Sequence, residues 1–136
     1  MEEEYYFCHS ASLRIFSDSG LDFDKIQSNL LLAPDHQHKI GDKRFPNSNR
    51  KPYANDMLSF ESGLSDEESL EDHLLALWIK LKPYKKFIVG LKAEAKVDIF
   101  CGYRTDCETG GVDISSKALE IFQELKINFA LSVIVT

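Results

Sequence analysis

The stretch VDIFCGYRTDCETGGVDISSKALEIFQELKINFALSVIVT, residues 97–136, decides the fold class of this chain. Its first part alternates apolar side chains with others, which is typical of a half-buried strand; the apolar positions are Val97, Ile99, Cys101 and Tyr103. The glycine pair 110–111 predicts a turn, the amphipathic stretch after it predicts a helix, and residues 129–135 predict a second strand. A strand, a helix and a strand in succession indicate helices packed on a β-sheet.

The final strand, residues 129–135, is apolar on one face and small or apolar on the other. An edge strand of this composition would offer unpaired backbone groups to other chains and promote aggregation. We therefore expect this strand in the interior of the sheet rather than at its edge.

Three further strands are predicted from alternating or short apolar runs that lie between turn residues. They cover residues 5–16, 36–40 and 57–61. On the first of them, Leu13 lies on the more apolar face and Arg14 on the more polar one, because successive side chains point to opposite faces.

Two helix starts carry recognisable caps. Asp22 can accept hydrogen bonds from the free amides of a first turn, which predicts a helix over residues 23–31. Ser65 and Glu68 have the spacing of a capping box, in which each side chain bonds the other residue's free amide. A second helix is therefore expected to start there and to stop before Pro83.

Two shorter helices are expected nearer the end of the chain, one over residues 84–92 and one that starts at Ser115 or Ser116. Together the elements predict a single α+β domain over residues 1–136. Its expected architecture is a two-layer sandwich, in which one largely antiparallel sheet of four or more strands carries three to four helices on one face.

Charge and cysteine content limit the class of protein. The net charge is −6, whereas a nucleic-acid binder usually carries a basic face, so we expect no nucleic-acid partner. The three cysteines are an odd number without CxxC spacing and the start of the chain is acidic, which favours a cytoplasmic location. No apolar run approaches the roughly 20 residues that span a bilayer, so no membrane partner is expected.

Two groups of residues carry a resemblance to a known family. The first comprises ASLRIF at residues 11–16 and then Asp22, Pro34 and Gly41-Asp42. The second comprises GGVDIS at residues 110–115 and the helix and strand after it. Together they resemble the bacterial family known as domain of unknown function 4279. The resemblance extends over residues 6–135 and implies no established activity. Small families of this type often look like immunity or accessory proteins of bacterial toxin systems.

The loop-rich residues 35–53 hold a candidate ligand site. His36 and His38 are two residues apart and would project in the same direction from a strand. An enzyme acting at neutral pH would need one of these histidines as its general base. Asp42 and Arg44 would supply further polar anchors.

Arg14 is the remaining candidate for this ligand site. Its guanidinium group either pairs with a carboxylate such as Asp98 or presents its fork of donors to an anionic ligand. Pairing is the simpler interpretation, since Arg14 lies on a strand that looks half-buried.

Metal binding would need ligands beyond the two histidines, and His9, Cys8 or Asp42 are the available ones. No second pair of ligands has the spacing that clamps a metal ion, so we predict no metal and no cofactor. Cys8 and Cys101 have apolar neighbours in strands, and both are expected to pack in the core.

Four acidic residues near the start of the second predicted helix form a candidate partner surface: Glu67, Glu68, Glu71 and Asp72. Capping and the helix dipole account for the first two. The others either are solvated or form a docking face for a protein partner with a basic surface.

These features favour a non-catalytic protein-binding module, and the resemblance suggests an immunity-like partner of a bacterial toxin. We assign no catalytic residue, because no set of side chains in the sequence requires chemistry to explain it. The alternative is a small-ligand-binding or enzymatic domain with its site in residues 35–53.

Overall fold

The computed structural model describes residues 7–46, 49–107 and 109–136. Its elements are β1 (Phe7–Ser17), α1 (Phe23–Leu30), β2 (His36–His38), β3 (Asp56–Glu61), α2 (Leu70–Leu81), α3 (Lys85–Leu91), β4 (Lys96–Thr105), α4 (Glu120–Leu125) and β5 (Leu131–Val135). A 3₁₀ turn, Lys82–Tyr84, joins α2 to α3. The predicted α+β class is confirmed, and residues 5–6 of the first predicted strand lie outside the described residues.

The strands form one five-stranded sheet in the order β2-β3-β1-β4-β5. β1 is central and pairs antiparallel with both β3 and β4, and β2 pairs antiparallel with β3. β5 is parallel to β4, because the chain between them crosses over through α4. The sheet predicted as largely antiparallel is therefore a mixed sheet with one parallel pair.

The register of β1 places the core on one face of the sheet. Leu13 lies opposite Phe60 of β3 and Ile99 of β4, and all three side chains are buried. Leu74 and Leu77 of α2 belong to the same hydrophobic core. Burying each large aliphatic side chain contributes roughly 1.5–3 kcal/mol, so this helix-to-sheet contact is a main source of stability.

The other face of the sheet, called the open face below, has Arg14 at its centre. Its larger apolar side chains are only half-buried and lie outside the main core; they are Phe16, Met57 and Phe100. An antiparallel sheet commonly buries one face and leaves the other in contact with water, which is the arrangement here.

α1 begins where its cap predicts and ends slightly earlier than expected. The Asp22 side chain accepts a hydrogen bond from the backbone N–H of Lys25, which confirms it as the N-cap. The helix ends at Leu30 because Leu31 adopts a left-handed conformation with φ of 53°. The turn thus comes three residues before Pro34.

Ser65 and Glu68 do not begin α2, so the predicted capping box is wrong. The N-cap is Ser69, whose hydroxyl accepts a backbone N–H of the first turn. The helix starts later because the carbonyl of Asp66 accepts a hydrogen bond from the N–H of His9 on β1. That bond holds the preceding segment against the sheet.

The predicted start of the last helix is a turn rather than α-helix. The Ser115 hydroxyl accepts a hydrogen bond from the N–H of Ala118, as an N-cap would. α4 itself begins at Glu120.

β5 lies at the edge of the sheet, so the prediction of an interior strand is wrong. The crossover through α4 delivers β5 beside β4, whose other side β1 already occupies. As a result Val133, Ile134 and Val135 remain 51%, 47% and 59% exposed.

Candidate functional site

His36 and His38 form a hydrogen-bonded chain on the edge strand β2. His36 Nε2 lies 3.0 Å from His38 Nδ1, and His38 Nε2 lies 2.9 Å from Asn55 Oδ1. Because an amide oxygen only accepts, His38 Nε2 is the donor to Asn55, and in a neutral His38 ring Nδ1 is then the acceptor for His36. These hydrogen bonds use Nε2 of the exposed His36, so its other ring nitrogen, Nδ1, points away from His38.

Tyr53 and Arg44 pack against this pair. The Tyr53 ring stacks on His38 with 3.5 Å between centroids, and the Arg44 guanidinium carbon lies 4.6 Å from the Tyr53 centroid. Arg44 Nε also donates to the Lys51 carbonyl at 3.1 Å. A cation over an aromatic face is attracted electrostatically, so Arg44 holds the loop to β2.

Asp42 organises the turn of the same loop. Its carboxylate accepts a hydrogen bond from the Lys39 N–H at 2.8 Å, and its own N–H donates to the Lys39 carbonyl. The N–H of Tyr53 donates to the Asp42 carbonyl, which joins the two ends of the loop.

Arg14 forms a two-pronged ion pair with Asp98 across the β1–β4 ladder. Arg14 Nε lies 2.8 Å from Asp98 Oδ1, and Arg14 Nη2 lies 2.6 Å from Asp98 Oδ2. Phe16 and Phe100 lie beside the guanidinium carbon, at 5.9 and 5.1 Å from their centroids. The hydrogen bonds to Asp98 raise the pKa of Arg14 above its ordinary value. The donor fork is therefore occupied by a partner within the sheet.

The candidate ligand residues do not converge on one cavity. Arg14 and His36 lie in one row across the open face, each opposite Ser59 of β3. A cleft of about 370 Å³ beside α1 brings together His38 and Asp42, but it is not lined by Arg14, His36 or Arg44.

The acidic candidate surface surrounds the start of α2. The Glu71 carboxylate accepts the backbone N–H of Ser115 at 2.8 Å, and hydrogen bonding to the side chain and then to the backbone of Ser115 lowers the pKa of Glu71. Glu71 thus ties α2 to the segment before α4. Glu67, Glu68 and Asp72 are exposed, and in the described part of the chain no ion pair involves them.

His73 was not singled out in the sequence, and the structure places it near the half-buried His9, which was considered only as a metal ligand. His73 is 2% exposed, and its Nδ1 lies 2.6 Å from the Ser62 hydroxyl. His9 stacks on Tyr103 with 4.9 Å between centroids. His9 Nδ1 and His73 Nε2 are buried and have no hydrogen-bond partner in the described part of the protein.

Burial lowers the pKa of both histidines, and the electrostatic effect of His73 lowers that of His9 further. The spacing of His73 from Leu70 and Leu77 on α2 places it on the apolar stripe, which is the signal that could have identified it. Ser62 beside it is 4% exposed, so this serine–histidine contact is closed to a substrate.

The cysteines differ in their surroundings. Cys101 is buried as predicted, and burial raises the pKa of its thiol to about 12. Cys8 does not pack in the core, because it is half-buried and its thiol points to the Asp66 carboxylate at 3.4 Å.

A shallow groove of about 310 Å³ runs past Cys8 on the open face. Gly102 forms its floor, where a Cβ atom would lie 2.7 Å from the Ser10 hydroxyl. Phe100 and Arg104 also line it.

Within residues 7–46, 49–107 and 109–136, no three histidine, cysteine or acidic side chains are grouped to hold a metal ion. No helix in the same ranges has the length and apolar character that a membrane crossing requires.

The fold and its polar contacts define an α+β domain with one helix-covered and one open sheet face. The family model described as Domain of unknown function (DUF4279) matches residues 3–136. The chain belongs to this family, as the motifs at residues 11–16 and 110–115 predicted. No curated protein and no solved structure matches the chain.

The ion pair between Arg14 and Asp98 should stabilise the fold. A double-mutant cycle with Arg14→Ala and Asp98→Ala should give a coupling free energy of about 0.5–1 kcal/mol in urea unfolding, since both side chains are about one-third exposed. The more exposed pair of Lys25 and Glu94 is the control and should couple less. Equal coupling in the two cycles would contradict the structural role of Arg14.

Acid should destabilise the protein partly through His73. Because the folded-state pKa of His73 is lowered, the unfolded state binds the proton more readily, and stability falls as the pH drops below about 6.5. His73→Asn keeps a polar group near Ser62 but does not titrate. Its urea midpoint should therefore fall less than that of the wild type between about pH 7.5 and 5.5. The same decrease in both proteins would refute this role.

Proposed function

We propose that the protein is a non-catalytic protein-binding module that accepts a partner chain along the outer edge of β5. The observation that carries this proposal is the outer edge of an uncharged, apolar strand, with which no strand in the described part of the chain pairs. Native proteins normally protect such edges with charges, prolines, bulges or covering segments. β5 has no charged residue and no proline.

The backbone of β5 offers regularly spaced hydrogen-bonding groups to a partner. The N–H of Thr136 donates to the Thr105 carbonyl of β4 at 2.9 Å. Since backbone groups alternate in direction along a strand, the groups of Leu131, Val133 and Val135 point outward. An extended partner segment can pair with them, as in other cases of β-strand addition.

The side chains beside this edge form an apolar surface on the helical side of the sheet. A groove of about 410 Å³ lies there, and its apolar lining includes Val112, Leu131, Val133 and Val135. A partner strand with alternating apolar side chains would bury this surface, and burial of apolar area is the general driving force for association.

The acidic surface at the start of α2 would guide a basic partner. Glu67, Glu68 and Asp72 add negative charge to a chain whose net charge is −6. Complementary charge raises association rates more than it raises affinity. An immunity-like role fits this mode of action, because such a protein acts by covering its partner rather than by chemistry.

Covalent capture in the protein's own host tests the docking edge. A photo-crosslinking amino acid in place of Val133 should give a discrete protein adduct, whereas the same group in place of Ile79, which is 76% exposed on α2, should not. Mass spectrometry of the adducts is the measurement. No adduct from position 133 above the level of the control position would overturn the proposed function.

A second candidate function is ligand binding in residues 35–53, favoured by the hydrogen-bonded chain that orients His36. A specific small ligand should raise the melting temperature of the wild type, because it binds only the folded state. The shift should disappear in His36→Ala and persist in Lys51→Ala, since Lys51 contributes only its backbone carbonyl to Arg44. An unmoved melting curve across a broad ligand library would exclude this function.

A further inference from the structure

We propose that the chain that covers β5 is β5 of a second copy, so that the protein is a dimer with one sheet continuous across both subunits. This inference rests on the proposed function, because it names the occupant of the same edge. It leaves the acidic surface at α2 free for a different, basic protein.

The strand is chemically suited to pair with itself. From Ile127 to Thr136 the sequence INFALSVIVT contains no charged residue. Like charges directly opposite one another destabilise neighbouring strands, so a charged edge would reject its own copy. β5 has no such barrier.

The backbone direction is also compatible with a two-fold axis. An axis perpendicular to the sheet at Val133 makes the two copies of β5 antiparallel, which is the isologous arrangement of most dimers. The outward N–H and C=O of Val133 then pair with those of Val133 in the other copy. The same groups of Leu131 pair with those of Val135, so the whole strand is used.

The side chains match on both faces in this register. Leu131, Val133 and Val135, whose backbone groups point outward, have their side chains on the helical side of the sheet. There Val133 of one copy lies against Val133 of the other. On the open face Ser132 lies opposite Ile134 of the other copy. Both copies keep their helices on the same side of the sheet, since the axis is perpendicular to it.

The two edges of the sheet differ in a way that points to β5 as the interface. The other edge is β2, which has three residues and ends next to the charged Lys39. A short edge beside a charge is a normal protection against pairing. β5 lacks this protection and exposes about half of Val133, Ile134 and Val135.

Sedimentation equilibrium of the purified chain over a wide concentration range is the test. The wild type should form dimers with a dissociation constant in about the micromolar range, which is typical of a small interface. Val133→Lys places two like charges on the axis and should weaken the dimer at least about tenfold. Ile79→Lys, on an exposed apolar residue of α2, should leave the dimer unchanged.

Disulfide cross-linking tests the register between the two copies of β5. In a Cys8→Ser and Cys107→Ser background, Val133→Cys should form an intersubunit disulfide under mild oxidation, because opposed residues have Cα atoms about 5.5 Å apart. Ser132→Cys is the control and should cross-link poorly, since its opposite residue is Ile134. Equal cross-linking at both positions would overturn the two-fold register.

The salt dependence of association distinguishes a second copy from a basic partner at the same edge. Two copies with equal negative charge repel each other weakly, so added salt should leave dimerisation unchanged or strengthen it. A wild type that stays monomeric at every concentration overturns the inference. If the photo-crosslinking group at position 133 then captures a different protein, the proposed function still holds with another occupant.

Discussion

The structure depends on the position of β1 between β3 and β4. This strand is the one that must be apolar toward the helices and polar toward the open face at the same time. Leu13, in the row between Phe60 and Ile99, anchors the helical layer. One residue further, Arg14 meets Asp98 on the opposite face. A shift of register by one residue would bury the charge and expose the leucine, so the two contacts together fix the sheet.

Most polar residues whose side chains could carry chemistry are used to hold this sheet and its loops together. Arg14 is occupied by Asp98, and Asp42 closes a turn. His73 is buried beside Ser62 on the helical side. Each such hydrogen bond contributes modestly to stability, and a buried polar group that lost its partner would cost more than the bond gains. The proposed function therefore rests on the surface of the protein, above all on the edge at β5.

The parallel crossover from β4 to β5 explains why that edge exists. Antiparallel pairing occupies both sides of β1, both sides of β3 and one side of β4. The last strand then has only the free side of β4 to join, and no strand of the described residues pairs with its own outer side. An apolar edge is unfavourable for an isolated monomer and favourable for an assembly, which is the physical basis of the proposed protein binding.

The sequence by itself determined the class of the fold, most strand and helix positions and the buried face of β1, because hydrophobic periodicity and local caps such as Asp22 act over a few residues. It also indicated the pairing of Arg14 with Asp98. Only the tertiary structure decided that Ser69 rather than Ser65 caps α2 and that β5 lies at the edge. Both depend on contacts between residues far apart in the chain: the hydrogen bond of His9 to Asp66 delays the helix, and the space beside β4 sets the place of the last strand.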